Sequence, residues 1–325
     1  MNYFVHRLAV VIVLAVTSIV SSSDRALADT FGSGANTFDI EFVGIGDPNN
    51  AADTTGNPSP PYPTGSVPYA YRIGKFEISE QMIDKANAEG ALGITKDIRS
   101  ADKPATRVNW NEAARFVNWL NTSTGSTPAY KFAMQPGDVG YSPSADIQLW
   151  TIGDAGYNPN NLYRNSLARY VLPSVDEWYK AAYYDPTSGV YYDYPTGSDN
   201  VPTAVASGTA AGTAVYDQSF ASGPADITQA GGLSPYGTMG QGGNPDEWEE
   251  TDFDFVNNST SSVRGRRGGA WYNNSSTMLA SLRLGGSPID GGDGIGFRVA
   301  SIPEPNTLLL LCFGSLAVLW RSRAR

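Results

Sequence analysis

Residues 234–250 read SPYGTMGQGGNPDEWEE, a segment whose four glycines and two prolines are incompatible with a regular helix. The glycines allow positive φ angles and close backbone approach, so that several carbonyl oxygens can converge on one point. The carboxylates of Asp246, Glu247, Glu249 and Glu250 follow directly. Carboxylate and carbonyl oxygens are the ligands that calcium prefers. The segment therefore predicts an ordered calcium-binding loop, with a solvated acidic turn anchored by its tryptophan as the alternative.

The composition around this segment indicates a globular, turn-rich fold. The chain has 325 residues, of which 41% are hydrophobic, enough to form a substantial core. It also has 35 glycines and 21 prolines against 17% charged residues, which favours short strands and irregular loops over long helices. No internal repeat or linker divides the chain, so one large central domain is expected.

The charge of the chain argues against nucleic acid as a partner. The formal net charge is -10, and binding to phosphate backbones requires a basic surface. Two terminal segments, described below, contain five of the 22 basic and two of the 32 acidic residues. The remaining body therefore has 17 basic and 30 acidic residues, a net charge of -13. Cations are its expected binding partners.

The single cysteine and the single histidine limit the possible chemistry. Cys312 and His6 both lie in the hydrophobic terminal segments, so the body has neither residue type. A Cys-His nucleophile pair, a zinc site of Cys and His, a Ser-His-Asp triad and a disulfide are all excluded there. Carboxylates, Lys, Tyr, Ser or an oxygen-bound metal would have to carry any remaining chemistry.

The N-terminal segment, residues 1–28, has the features of a secretory signal peptide. His6 and Arg7 precede an apolar run at 8–20, and Ala26-Leu27-Ala28 forms a small-x-small cleavage site. The mature protein is predicted to begin at Asp29. A retained membrane anchor is the alternative, but the apolar run is short for a bilayer span.

The C-terminal segment, residues 302–325, combines a proline-rich motif, an apolar run and a basic end. The motif Pro303-Glu304-Pro305 precedes the apolar residues 307–320, and three arginines follow. This order resembles the PEP-CTERM sorting signal of Gram-negative bacteria. The resemblance implies an exosortase-type sorting enzyme as partner, transient membrane anchoring, and delivery to the cell envelope, outer surface or extracellular matrix. A plain membrane anchor is the alternative.

Helices and strands in the body, residues 29–301, are predicted to be short and few. Helix starts are predicted at three capping residues, Ser79, Asn109 and Ser174, the last two forming capping boxes with a glutamate three positions on. Strands are predicted from apolar alternation or flanking glycines at 37–43, 67–77, 147–152, 190–194, 264–271, 279–284 and 294–300.

Six stretches of the body, taken in order, resemble the formylglycine-generating enzyme family, also called sulfatase-modifying factor domains. They are YRIGKFEI at 71–78, the helix at 108–120, LPSVDEW at 172–178, GNPDEW at 243–248, RGGAW at 267–271 and GFR at 296–298. The resemblance implies an irregular α+β fold related to C-type lectins, with little regular secondary structure. It covers nearly the whole body.

The activities of that family depend on residues that this body lacks. The resemblance implies copper held by a cysteine pair, or iron held by histidines in the sulfoxide synthases. Neither copper nor iron is therefore expected, and no catalytic residue is assigned. For Arg267 and Arg298 we expect a structural role, pairing with carboxylates or capping carbonyls. Ligand contact by Arg267 or Trp271 is the less favoured interpretation.

The resemblance also implies a structural calcium site in the acidic segment. Its ligands in the family are an asparagine side chain, two carbonyls and a glutamate, which fall on Gly240, Gly243, Pro245 and Glu247. Gly240 cannot supply a side-chain oxygen, and we expect Asp246 to compensate. The predicted calcium ligands are thus Gly243, Pro245, Asp246 and Glu247.

These observations favour an exported, non-catalytic binding or structural module that contacts a polysaccharide or an envelope protein. One alternative is an enzyme that uses the acidic side chains of 246–250 for acid-base chemistry such as glycosidic cleavage. Another is sulfatase modification by a cysteine-free route, which rests on fold analogy alone.

Overall fold

The computed structural model describes residues 27–55, 62–145 and 147–302, and within these ranges it has three α-helices and fifteen short strands. The helices are α1 (Glu80–Gly90), α2 (Trp110–Ser123) and α3 (Val175–Tyr183). The strands are β1 (Leu27–Phe31), β2 (Phe38–Ile45), β3 (Tyr71–Gly74), β4 (Lys131–Phe132), β5 (Ile147–Gln148), β6 (Tyr170–Val171), β7 (Tyr184–Asp185), β8 (Val190–Tyr191), β9 (Thr203–Ala204), β10 (Thr213–Ala214), β11 (Asp246–Asp252), β12 (Arg264–Arg267), β13 (Leu284–Gly286), β14 (Ile295–Gly296) and β15 (Ala300–Ser301).

Two sheets organise the fold. The first has the strand order β1-β2-β3-β15-β6, so the end of the described chain lies between a strand from its beginning and one from its middle. The second has the order β13-β12-β11-β14, in which β11 pairs antiparallel with β12 and parallel with β14. The other described strands form two-stranded pairs. This mixture of helices and small sheets is the irregular α+β class predicted from the sequence.

The three predicted helices are present, and each begins where its capping residue predicts. The Ser79 side chain accepts from the backbone of Met82 at the start of α1. Both α2 and α3 have complete capping boxes, with Asn109 and Ser174 as the N-caps. A cap satisfies backbone N–H groups that the helix itself cannot bond, so it fixes the starting residue.

The core lies between α2 and the first sheet. Fully buried apolar residues of α2, such as Phe116 and Val117, pack with Ile73 of β3 and Phe297 and Val299 near the end of the body. Trp110 at the start of α2 is also fully buried, and its indole N–H donates to the carbonyl of Glu249 at 2.8 Å. The core thus connects α2 directly to the second sheet, at the acidic strand β11.

The acidic segment is not the loop that the sequence predicts. Its second half forms β11, the longest strand of its sheet, and every residue of that strand is buried. Apolar periodicity could not reveal this strand, because charged side chains point to both of its faces. Several other predicted strands are shorter than expected: 67–77 keeps only β3, and of 279–284 only Leu284 lies in a strand, as the first residue of β13.

The terminal predictions fall mainly outside the described residues. Strand β1 begins at Leu27, so cleavage after Ala28 would leave Asp29–Phe31 paired with β2. The residues Pro303, Glu304 and Pro305 and the apolar run at 307–320 are not among those described. In the part of the chain that is described, none of the helices has the length and apolar character needed to cross a bilayer.

Candidate functional site

Strand β11 carries five carboxylates in seven residues, and all of them are buried. They are Asp246, Glu247, Glu249, Glu250 and Asp252, and each has at most 2% of its surface exposed. A buried carboxylate is strongly destabilising unless a cation and hydrogen-bond donors compensate it. The partners of these groups therefore decide what the strand does.

Each carboxylate of β11 pairs with an arginine, and one of these, Arg164, also pairs with Glu177 at 2.9 Å. The pairs are Asp246–Arg266, Glu247–Arg298 at 2.6 Å, Glu249–Arg283 at 2.7 Å, Glu250–Arg164 at 2.7 Å and Asp252–Arg264 at 2.5 Å. A sixth arginine, Arg267, lies 3.0 Å from Glu249 and also donates to the carbonyls of Ala280 and Leu282. We call these five pairs the arginine ladder.

Neutral donors complete the ladder. Glu250 accepts hydrogen bonds from Tyr130 at 2.8 Å and Asn161 at 2.5 Å, and Asp252 accepts from Tyr163 at 2.8 Å. Arg264 lies over the ring of Tyr163 at 4.2 Å. Charge-assisted bonds of this kind fix side-chain geometry more tightly than neutral ones, so the carboxylates are held in place and cannot turn toward solvent without breaking several contacts.

Glycines make room for the ladder. A Cβ atom at Gly265 of β12 would overlap the guanidinium of Arg283 and the carboxylate of Glu249. The turn that precedes β11 has positive φ at Gly243 (80°) and Asn244 (58°), the left-handed region that favours glycine and tolerates asparagine. The GN pair in the sequence is thus explained by backbone conformation.

The predicted calcium ligands are only partly brought together. Successive strand residues point to opposite faces, and Asp246 contacts Arg266 and the backbone N–H of Gly269, whereas Glu247 contacts Arg298 and the indole N–H of Trp178. Asp246 therefore does not converge with Glu247. Among the residues described, no group of three or more Asp, Glu, His or Cys side chains is arranged to hold a metal. A calcium site here depends on backbone carbonyls, and it stays a prediction.

A second carboxylate, which the sequence did not single out, faces Glu247. Glu77 follows β3, is 1% exposed, and accepts a hydrogen bond from the Asn244 side chain at 2.9 Å through Oε1. Its other oxygen, Oε2, is buried without a hydrogen-bond partner. Burial raises the pKa of Glu77 to about 7; the Arg298 charge opposes that rise and the Glu247 charge adds to it. A bound cation would compensate this buried oxygen.

The other residues of interest in the sequence have structural roles. Arg298 donates to both oxygens of Glu247 and to the carbonyls of Gly74 and Met239, as expected for a buried pairing arginine. Trp271 is fully buried, and its indole N–H donates to the Phe220 carbonyl at 3.2 Å. Ligand contact would therefore require other aromatic side chains.

A cavity of about 580 Å³ lies between the end of α1, one side of α2 and strand β4. Its aromatic wall consists of Trp119, Tyr130, Phe132 and Trp150, and polar side chains such as Asn118 and Gln135 also line it. The charged residues at the cavity already have partners: Arg115 donates to three backbone carbonyls, Lys131 pairs with Asp154 at 2.8 Å, and Glu89 accepts from the backbone N–H and the hydroxyl of Ser33. We call this space the α2 cavity.

Sequence reasoning missed Glu77, the α2 cavity and most of the ladder. One signal for the ladder was present: four of its five arginines, at 264, 266, 283 and 298, follow the acidic strand in the sequence. The cavity has no such signal, because its walls come from separate stretches of chain that only the tertiary fold brings together.

Two family models match parts of the chain. A family described as the sulfatase-modifying factor enzyme 1-like domain matches residues 52–302, and the PEP-CTERM protein-sorting motif matches residues 301–324. Among solved structures, Treponema denticola variable protein 1 is similar over 86% of this chain and 100% of its own, with 19% identity and a TM-score of 0.55. CarF is similar over 81% of this chain and 98% of its own, with 16% identity and a TM-score of 0.56. At these identities the two structures show a shared fold only. No curated protein matches the chain.

Proposed function

This chain belongs to the family of sulfatase-modifying factor enzyme 1-like domains, and we propose that it is a non-catalytic binding or structural module of the cell envelope or extracellular polymer. Its PEP-CTERM motif implies export, membrane-anchored sorting to the cell envelope and recognition by an exosortase-type enzyme. The body has neither cysteine nor histidine, the residues on which the family's oxidative chemistry depends.

The arginine ladder is the observation that carries this proposal. An acid-base enzyme needs carboxylates that reach a substrate, yet the acidic side chains of β11 are buried and each is paired with an arginine. The ladder therefore supports a role for the acidic strand in stabilising the fold. It weighs against the alternative in which these side chains hydrolyse a glycosidic bond.

The α2 cavity is the best-supported place for a ligand. Its volume lies within the range of small-molecule sites, and it combines an aromatic wall with polar groups, as such sites do. Because its charged side chains already have partners, an uncharged ligand fits best. The body's net charge of -13 also repels anionic polymers. A neutral polysaccharide of the envelope or matrix, with its apolar ring faces and its hydroxyl groups, has the matching chemistry.

A binding screen tests this function. Protein exported from the full-length chain would be titrated with soluble neutral and acidic polysaccharides while tryptophan fluorescence is followed, since Trp119 and Trp150 line the cavity. We expect a fluorescence change with a neutral polysaccharide. Replacing Trp150 by Ala should weaken binding by at least about tenfold, the usual loss when an aromatic anchor is truncated.

The matched control is Tyr272→Ala, an exposed aromatic residue that does not line the cavity. It should bind like the unchanged protein. Equal loss in both variants, or no response to any neutral polysaccharide, would contradict the cavity as the binding site. Hydrolysis of a polysaccharide by the protein would contradict the non-catalytic role.

A structural calcium ion at the turn before β11 is the second part of the proposal. The carbonyl oxygens of Gly243 and Pro245 and the carboxylate of Glu247 would hold it, and it would stiffen the connection between the two sheets. Calcium binds to oxygen ligands of this kind.

A further inference from the structure

The turn that precedes β11 has no side-chain oxygen at position 240, because that residue is a glycine. A carboxylate from another part of the chain occupies the space instead. Gly240 has φ +76°, and a Cβ atom built on it would overlap Oε1 of Glu77. The Glu77 carboxylate therefore occupies the space into which a side chain at position 240 would project. Glu77 comes from the end of β3, so this replacement is visible only in the folded protein.

Glu77 has a carboxylate oxygen that accepts no hydrogen bond. Its Oε2 is buried and accepts no hydrogen bond, whereas Oε1 accepts from Asn244. Arg298, the nearby cation, makes its two carboxylate contacts to Glu247. When Glu77 is ionised, the two carboxylates and one guanidinium leave a net negative charge among buried residues. Such a group is costly unless a cation binds it.

We propose that Glu77 supplies the side-chain oxygen that Gly240 lacks, in a calcium site completed by Glu247 and by the carbonyls of Gly243 and Pro245. This inference rests on the proposed calcium site and replaces Asp246, which faces Arg266, with Glu77. A divalent cation would neutralise the excess charge, and hard oxygen ligands select calcium over softer metals.

Calcium binding to the purified, chelator-treated protein tests the proposal directly. We expect one calcium per chain by metal analysis, a melting temperature that rises with calcium concentration, and terbium luminescence sensitised by the nearby Trp178. Glu77→Gln keeps the shape and the Asn244 contact but removes the charge. It should weaken calcium binding by at least roughly tenfold, since even residues that only support a metal ligand contribute that much.

The control is Asp84→Asn, which removes the same charge from a side chain that is 64% exposed on α1. It should bind calcium like the unchanged protein. If Glu77→Gln binds calcium as tightly as this control, Glu77 is not a ligand. If the unchanged protein binds no calcium, the site itself is wrong. Neither result depends on polysaccharide binding, so the binding function is judged separately.

A rescue experiment covers the case in which loss of Glu77 harms folding. The double variant Glu77→Ala with Gly240→Asn returns the side-chain oxygen to position 240, where asparagine tolerates a positive φ. It should recover calcium binding that Glu77→Ala alone has lost. Gly240→Asn alone should destabilise the protein, because its Cβ overlaps Glu77. A double variant that folds and melts normally but binds no calcium would overturn the assignment.

Discussion

Each arginine of the ladder stabilises the fold because the carboxylate that it pairs with is buried. Without the arginine, that charge would be left without compensation and without access to water. Arg264 is fully buried, pairs with Asp252 and donates to the carbonyl of Ser262. Arg264→Met removes the cation but leaves the acid in place. We expect the free energy of unfolding to fall by about 3–5 kcal/mol at pH 7.5, as for other broken buried pairs. Denaturant unfolding measures this loss.

The loss in Arg264→Met should depend on pH, which separates charge from packing. Burial raises the pKa of Asp252 to about 6 even with Arg264 opposing the rise, and without the arginine it would lie higher still. Protonation then relieves the variant, so its defect should be smaller at pH 5 than at pH 7.5. An equal defect at both values would show that lost packing dominates. Lys103→Met, at a partly exposed pair with Asp226, should lose no more than about 1 kcal/mol.

At the scale of elements, strands β11 and β12 approach closely only because β12 has a glycine opposite the ladder. Gly265→Ala would force its Cβ into Arg283 and Glu249. We expect a loss of stability of at least about 1–3 kcal/mol, the range for overpacked cores. Gly153→Ala is the matched control, since a Cβ there meets no atom within 4 Å. Thermal melting of the two variants checks the prediction, and equal melting temperatures would contradict it.

Elements also differ in how far the sequence predicts them. The helices were predictable because a cap is a local signal: Asn109 and Glu112 bond each other's backbone N–H groups within one turn. Strand β11 was not, because its acidic side chains can be buried only through arginines distant in sequence, such as Arg298, 51 positions from Glu247. The features of the candidate site also divide into those set by local signals and those set by contacts distant in sequence. The GN turn was readable from local backbone preference, whereas Glu77 and the α2 cavity depend on tertiary contacts.

Across the whole body, buried carboxylates with raised pKa values make the folded protein more stable under mildly acidic conditions than at neutral pH. Burial raises the pKa of both Asp176 and Asp252 to about 6, against partial opposition from the Gly65 N–H and from Arg264. Other acids have lowered pKa values, among them Asp154, to about 2, through its bond to Lys131. The first group gains stability as pH falls and the second loses it, so an optimum between the two sets is expected.

The sign and size of this pH dependence can be predicted. A carboxylate whose pKa is higher in the folded than in the unfolded state contributes its stability below the unfolded value, and that stability is lost as pH rises through about 6. Between pH 7.5 and pH 5, Asp176 and Asp252 together should therefore stabilise the protein by on the order of 2–3 kcal/mol. Asp246 and Glu77, whose pKa values burial raises to about 6 and about 7, add to this change with the same sign. Denaturant unfolding in the presence of a chelator measures this change without a contribution from calcium. Asp176→Asn should lower the change by about 1–1.5 kcal/mol, the share of one carboxylate that titrates near 6, because its amide still accepts from Gly65 but does not titrate. Asp84→Asn should leave the change intact, since Asp84 is exposed on α1. Stability that decreases steadily from pH 7.5 to pH 5 would mean that the paired acids with lowered pKa values outweigh the buried ones already in this range.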